Sequence, residues 1–452
     1  MQFELTREFI DKLRIHIDNK EEVAALDMVK DLHPADIAEI YDELDIEEAK
    51  YLHVLLDGET AADVMIELEE DDREQFLSSL PSEFIATQII DKMDSDDAAD
   101  VIGEFSDEKQ EEVISFIEDL DQAGDIVDLL NYDEDTAGGL MAKELITVNE
   151  NWTMPTCLRE MRKQAAEMDE VYYVYVIDDN NILKGTLSLK RMLLASTNAS
   201  IKNILNTDII SVKTDTKSEE VANIMEKYNL VALPVVDALG RLLGRITIDD
   251  VVDVMREEAE RDYQLASGIT TDVEHTDSAW LLTRARIPWL FIGLFGEILG
   301  SKVIGNYEVD LGMFPQLAFF IPLIAAMGGN AGVQSSSIIV QAIASNSLGL
   351  ESITKKLFKE LSVSGLNAII LSTVLFMFNY FFSDSFALTM TVSVALFSII
   401  IFASMFGTII PLLLHRIKID PALATGPFIT TSNDIIGIFI YFMIGRAFFA
   451  IF

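Results

Sequence analysis

Apolar positions along this chain follow three different periods. Up to about residue 135 they recur three and four residues apart in short runs between acidic residues, which predicts short amphipathic helices. Pro34-Ala35-Asp36-Ile37, Ala61-Ala62-Asp63-Val64 and Asp97-Ala98-Ala99-Asp100-Val101 each set small or acidic residues before an apolar stripe. They read as helix starts in a loose helical repeat. From Gly138 the period shortens: Val171–Ile177 and Leu230–Val236 are apolar runs of strand length, each followed by an Asp/Asn/Gly turn. Past residue 284 the runs lengthen to 287–304, 317–344, 361–382, 386–414 and 421–446. Each reaches the ~18 residues that mark a membrane-crossing helix.

The strand-rich region is a duplication. Residues 174–193 align without gaps on 233–252, an offset of 59, whereas Ile146-Thr147-Val148 matches Ile210-Ser211-Val212 at 64. The first copy is therefore expected to hold the longer helix. A β-α-β-β-α unit occurring twice resembles a tandem cystathionine-β-synthase (CBS) pair. In that family an adenosine ribose often meets a Gly-x-x-Thr/Ser-x-x-Asp signature. The second copy carries it as Gly244, Thr247 and Asp250; the first has Gly185 and Ser188 but Arg191 in place of the Asp. The resemblance implies one site for ATP or another adenine nucleotide, the alternative being that Asp250 only caps the following helix.

Val251 to about Thr276 reads as a charged connecting helix. Asp250, Asp253, Glu257 and Glu260 share one helical face, where like charges cost ~0.2–0.5 kcal/mol per pair. Arg256 and Arg261 relieve part of this, and bound cations would supply the rest.

Charge now changes the picture. The formal net of −42 is not evenly spread: residues 284–452 hold nine Lys/Arg and eight Asp/Glu, and the first 283 hold 24 against 67, a net of −43. Within these, residues 1–140 hold nine basic and 43 acidic groups. Such a surface repels phosphates and excludes nucleic acid as a partner. Halophilic adaptation would also give an acidic chain, but Lys and Ile are plentiful throughout. One cysteine, Cys157, rules out an intrachain disulfide and fits a reducing compartment. His16, His33, His53, His275 and His415 show no metal-ligand spacing. Residues 1–30 are charged and amphipathic, unlike a secretory leader.

Flanking charges orient the apolar runs. Arg284, Arg286, Lys355, Lys356, Lys359, Arg416 and Lys418 fall on one side; the other has only Lys302, with Glu308, Asp310 and Asp384. The positive-inside rule then makes the soluble part cytoplasmic and the C-terminus external. Residues 350–360 read as a short basic helix lying at the cytoplasmic interface of the bilayer.

Pro421–Asp434, PALATGPFITTSND, brings Thr431, Asn433 and the lone carboxylate of Asp434 to membrane depth. Ionisable groups there face a cavity, a partner or an ion path. The alternative is that Asp434 caps a helix restarting after Pro427. Gly328–Gln334, GGNAGVQ, is a second polar interruption. Pro322, Gly328, Gly329, Gly332, Gly426 and Pro427 are expected to bend helices and free carbonyls. A polar path lined by Asn330, Gln334, Thr431, Asn433 and Asp434 would satisfy them. Glu297, about 16 Å past Arg286, would line the path or sit at an interface, and the interface is favoured.

An acidic ring selects cations. One carboxylate doubled across a homodimer axis suits hydrated Mg²⁺ better than a dry Ca²⁺ cage, and leaves Mn²⁺ and Co²⁺ open. No GxxxxGK[ST] loop supports an ATP-driven pump, and no His, second carboxylate or nucleophile accompanies Asp434, so an enzyme is not expected. A CBS-bearing membrane sensor whose spans merely anchor it is the other reading, and the polar spans argue against it. RARIPW (284–289), PLIAAMGGNAGVQ (322–334) and PALATGPFITTSND (421–434) resemble the MgtE family of Mg²⁺ channels. The domain order matches that family over essentially the whole chain.

The resemblance implies a homodimer in the plasma membrane with its pore on the two-fold axis and Asp434 as the ion-binding carboxylate. It also implies a cytosolic part that closes the pore when Mg²⁺ is abundant. Glu297 has no place in the family pattern. The expected fold is multi-domain: an acidic all-α superhelical domain (1–137), an α/β CBS pair (138–200 and 201–253), a connecting plug helix (254–283) and a five-helix transmembrane domain (284–452). Regulatory Mg²⁺ is expected where acidic surfaces meet: at Asp94 and Asp97, on the face of Asp249, Asp250, Asp253, Glu257, Glu258 and Glu260, and at Asp420.

Overall fold

The computed structural model describes residues 3–451 except 169, 170, 197, 198, 271, 272, 274–276, 346, 350, 351, 384 and 425. His275, Thr276 and Asp384 thus lie outside the described residues. The chain forms two compact units, Met1–Met255 and Arg256–Phe452.

The first unit begins with short helices, from Arg7–Asp18 to Leu120–Leu129. Several of their starts are set by side-chain caps. Asp45 and Glu48 form a reciprocal capping box, and Asp57 accepts from the Thr60 N–H at 3.1 Å. Two of the expected starts are corrected by the structure. Ala61–Val64 and Asp97–Val101 lie inside the helices Gly58–Ile66 and Ser95–Gly103, which begin after Asp57 and Asp94. At Asp57 the cap accepts a backbone N–H ahead of the apolar stripe, so that start precedes the small-residue run by about a turn. Leu13, Val29, Ile37, Leu52, Met65 and Leu77 are fully buried along the inner faces, and each such side chain contributes about 1.5–3 kcal/mol.

Two three-stranded sheets follow, β1 (Ile146–Asn149), β2 (Val174–Ile177) and β3 (Leu183–Leu187), then β4 (Val212–Lys213), β5 (Ala232–Val236) and β6 (Leu242–Thr247). In both, the first two strands are parallel and the last two antiparallel. Val148 pairs with Val176 and Val212 with Val235, so the registers repeat the duplication. The expectation of a longer helix in the first copy is not met. Met154–Gln164 and Ser218–Tyr228 are both 11 residues long. The extra residues enter after the helix, beginning with a 3₁₀ turn at Ala165–Glu167, whereas the second copy stops sharply at Asn229 in the left-handed region.

Each copy is completed by the segment that precedes the other. Ala142, ahead of β1, exchanges backbone hydrogen bonds with Arg245 of β6; Asn206, ahead of β4, does the same with Thr186 of β3. Gly185 and Gly244 make this possible, because a Cβ on either would collide with the carbonyl of Asn206 or Ala142.

The connecting helix runs from Ile248 to Ser267, shorter at its far end than expected. Gly268, at φ +82°, ends it: its N–H donates to Leu265 O and that of Ile269 to Gln264 O.

Five helices of the second unit are long and apolar enough to cross a membrane: Ala279–Gly305, Pro315–Ala344, Ile353–Phe382, Phe386–Arg416 and Gly426–Ala450. The fourth is central, with 56% of its apolar window buried against 11% for the first. The separate interfacial helix expected over 350–360 is not formed. Lys355, Lys356 and Lys359 belong to the start of the third span, since the helix after Ser352 holds no proline and runs on through Gly365 to Phe382. Of the expected break points, Gly426, at φ +49°, stands at the start of the fifth span, but those in the second span do not interrupt it. Pro322 sits in the first turn of Ile321–Ala344, where its missing N–H costs nothing, and Gly328–Gly332 stays helical.

Candidate functional site

The fifth span is an unbroken helix from Gly426. Asp434 lies about two turns inside it, which overturns the capping alternative, because a cap precedes the helix it serves. Asn433 is 1% exposed, and neither of its amide atoms has a partner among the described residues; Asp434 Oδ1 is likewise buried without a donor. Leaving such groups unpaired costs about 1–3 kcal/mol each. Two neighbouring helices approach this segment through glycine backbone. A Cβ on Gly329 would stand 3.5 Å from Asp434 Oδ1, one on Gly332 would overlap the Asn433 amide, and one on Gly296 would overlap Thr431.

Glu297, next to Gly296 on the first span, lies within electrostatic reach of Asp434. Glu297 itself is exposed in the single chain. Asn330 and Gln334 are not brought to Asp434 within one chain: four apart, they share an exposed face while Gly328, Gly329 and Gly332 are buried. Thr431 is buried beside Gly296. Further out, Arg446 donates to Asp310 at 2.9 Å and lies over the Tyr307 ring, so Lys302 has a second cation on its side.

In the first unit, one carboxylate oxygen each from Asp94, Asp96 and Glu144 lie within 4.8 Å of one another. Glu144 accepts from Ser95 N–H (3.2 Å) and Oγ–H (2.8 Å), which ties it to the first turn of Ser95–Gly103. Burial raises the Asp96 carboxyl well above its ordinary value, reinforced by Asp97, Asp250, Glu144 and Asp94. Asp97 is pushed up to about 8 by burial and then by Asp250, with Asp249 among the lesser causes. Asp250 is raised by burial, against hydrogen bonds that it accepts from Thr247 N–H (3.0 Å) and Oγ–H (2.8 Å). Arg245 stands 3.8 Å from Asp94 at the edge of this cluster. Unit charges ~4 Å apart interact by about 4 kcal/mol at an effective dielectric of 20. Crowded carboxylates of this kind suit a divalent cation.

The Asp253–Glu260 face is solvated by comparison. Asp253, Glu257 and Glu260 are exposed, and Arg256–Glu260 and Arg261–Glu258 are long pairs at 4.0 and 3.6 Å. Asp420 instead meets Asp262, whose carboxyl is raised by burial and then by Asp420 and Glu258. Asp96, Glu144, Arg245 and Asp262 were not legible as site residues. Glu144 lies far from Asp94 in sequence, while Asp262 could have been read as one turn beyond Glu258. In the nucleotide signature, Thr247 and Asp250 bond each other, and Arg191 of the first copy donates to Ile204 O at 3.1 Å.

Five apolar helices with a buried carboxylate and carboxamide, joined to an acidic helical domain and a CBS pair, define a polytopic cation-transport protein with a regulatory half. Sequence models agree segment by segment: the MgtE intracellular N domain over residues 32–135, CBS domains over 137–198 and 201–257, and the MgtE divalent cation transporter domain over 321–444. The magnesium transporter MgtE of Thermus thermophilus is 33% identical over 429 residues, 94% of each chain, and that of Bacillus subtilis 32% identical over 320 residues, 71% of each. The chain belongs to the MgtE family of divalent cation transporters. Its soluble part is similar to a crystal structure of the cytosolic domain of the Mg²⁺ channel MgtE in complex with ATP (33% identity, TM-score 0.51, covering 54% of this chain and 99% of that one). A crystal structure of the soluble part of a magnesium transporter is also similar (29% identity, TM-score 0.50, 56% and 98%).

Proposed function

We propose that this protein is a passive Mg²⁺ channel for uptake across the plasma membrane, closed by Mg²⁺ bound at its cytosolic carboxylate clusters. The observation that carries the reading is Asp434: a carboxylate inside a continuous apolar helix, whose Oδ1 has no donor among the described residues, beside Asn433, equally unpartnered among them. Mg²⁺ keeps most of its water and needs one or two carboxylates, which a homodimer with Asp434 on its axis supplies. In that dimer Asn330 and Gln334, exposed in one chain, line the path between the two copies. The soluble unit is cytoplasmic and the C-terminus external, following Arg284, Lys355, Lys356 and Arg416. A dication entering a negative interior gains about 4.6 kcal/mol per 100 mV, so no pump is needed.

Closure follows from the charge. Mg²⁺ at Asp94, Asp96 and Glu144, with Asp97 and Asp250 alongside, removes repulsion from the soluble unit, and Asp262 with Asp420 forms a second site. The domains act as units bounded near residues 137, 200, 253 and 283. ATP or another adenine nucleotide binds the second CBS copy at Gly244, Thr247 and Asp250, by analogy with the ATP-bound relative. The test is Mg²⁺ flux into liposomes holding wild type or Asp434→Ala. Wild-type flux that Asp434→Ala abolishes supports the reading; full flux through a well-folded Asp434→Ala protein ends it. Competition by Mn²⁺ and Co²⁺ in the same vesicles measures selectivity.

A further inference from the structure

The first span leaves a groove open along its surface. Ser267, Gly268 and Ile269 at the end of the connecting helix, Pro427 at the start of the fifth span, and Arg286, Trp289, Leu290, Gly293 and Leu294 of the first span line a cavity of about 500 Å³. On the first span these residues recur at three and four apart, so they form one stripe about 12 Å long. The stripe is graded: Arg286 is exposed at one end, and Leu290 and Leu294, 63% and 55% exposed, lie at the other. Gly293 floors it, since a Cβ there meets nothing within 4 Å. The Trp289 indole N–H has no acceptor among the described residues.

We infer that this groove binds a phospholipid, with the phosphate on Arg286 and an acyl chain along Leu290, Gly293 and Leu294. Three observations favour that occupant. The groove lies on a helix of membrane-crossing length whose apolar window is only 11% buried. Its one charged lining residue is an arginine, whose planar fork matches phosphate oxygens. Its apolar part points from that arginine into the span. An anionic headgroup is favoured, because Arg284 and Arg286 stand at the same end of the helix, where polybasic segments attract anionic lipid. The inference goes beyond the channel reading and uses from it only that the first span lies in the bilayer.

The lipid would touch both ends of a regulatory connection. Gly268, which caps the connecting helix, packs against Pro427 at the entry to the Asp434 helix, and Thr270 donates to Ala285 O of the first span at 3.1 Å. A filled groove therefore fixes the distance between the helix that carries Asp262 and the helix that carries Asp434.

The test uses the full-length protein in detergent, titrated with phosphatidylglycerol or phosphatidylcholine and read by native mass spectrometry. Wild type should retain phosphatidylglycerol in preference to phosphatidylcholine. Arg286→Gln, an exposed change, should weaken retention about tenfold, the worth of one charge-assisted hydrogen bond. Gly293→Phe should abolish retention by occupying the open floor. Wild-type retention by both variants would overturn the proposal. So would dissociation of the assembly by Gly293→Phe with lipid retention unchanged, which would make a second copy the occupant. Mg²⁺ flux in the same preparations judges the channel reading separately.

Discussion

Asp97 and Asp434 are carboxylates set apart from water, and each carries a prediction. For Asp97, burial and Asp250 hold the folded-state carboxyl near 8, against about 3.9 in an unfolded chain. The folded protein therefore keeps a proton that the unfolded chain releases. Its stabilising contribution is complete below about pH 4 and is lost as pH rises through 8, at a ceiling of about 1.4 kcal/mol per unit of displacement. Without Mg²⁺, thermal unfolding of the soluble unit should fall by several degrees between pH 6 and pH 9, at about 2–4 °C per kcal/mol. Mg²⁺ should restore the loss, bind more tightly at the higher pH and release protons, and Asp97→Asn should flatten all three in calorimetry. For Asp434, the isosteric Asp434→Asn should cut Mg²⁺ flux by at least about a hundredfold, the loss expected when ~3 kcal/mol of charge interaction disappears. Glu297→Gln should lower flux less, since Glu297 is exposed and reaches the path only through space.

Among the elements, the second and fifth spans meet through Gly332 and Asn433. Gly332→Leu should separate them, costing about 1–3 kcal/mol of membrane-domain stability as an overpacked contact, with flux lost alongside; unchanged thermal stability in detergent would contradict that packing. This is also the scale at which the sequence was most and least legible. Five spans, two CBS copies and the polar segments at 328–334 and 421–434 were readable, because length, period and residue type are local properties. Several misreadings concern where a helix starts or stops. The helices start directly after Asp57 and Asp94, ahead of the small-residue runs; Ser352 precedes a helix that nothing interrupts before Phe382; Asn229 stops one copy where the other runs on into a turn. The carboxylate cluster was half legible, since Asp94 and Asp97 share a helix, but Glu144 joins them only through the fold.

For the whole molecule, the acid concentrated before residue 140 predicts that a protein lacking residues 1–135 still conducts but responds less to cytosolic Mg²⁺. Liposome flux against internal Mg²⁺ reads this directly, and an unchanged inhibition curve would place the sensor in the CBS pair and connecting helix alone. Nucleotide should be linked to the same response: Asp250 belongs to the signature and also crowds Asp97, so Asp250→Ala should weaken ATP binding and shift the Mg²⁺ dependence together, by equal coupling. At most one nucleotide per chain is expected, because Arg191 occupies the equivalent place in the first copy. The crossed pairing of the CBS copies has a consequence for how the protein is made. Ala142 waits for Arg245 before its strand bridge can close, and the last strand of the pair ends at Thr247, shortly before the first span begins at Ala279. Contacts of such long sequence separation form late. During synthesis, the ion-sensing half therefore locks only as the first hydrophobic helix is about to leave the ribosome, so the sensor and the membrane anchor come into being almost together.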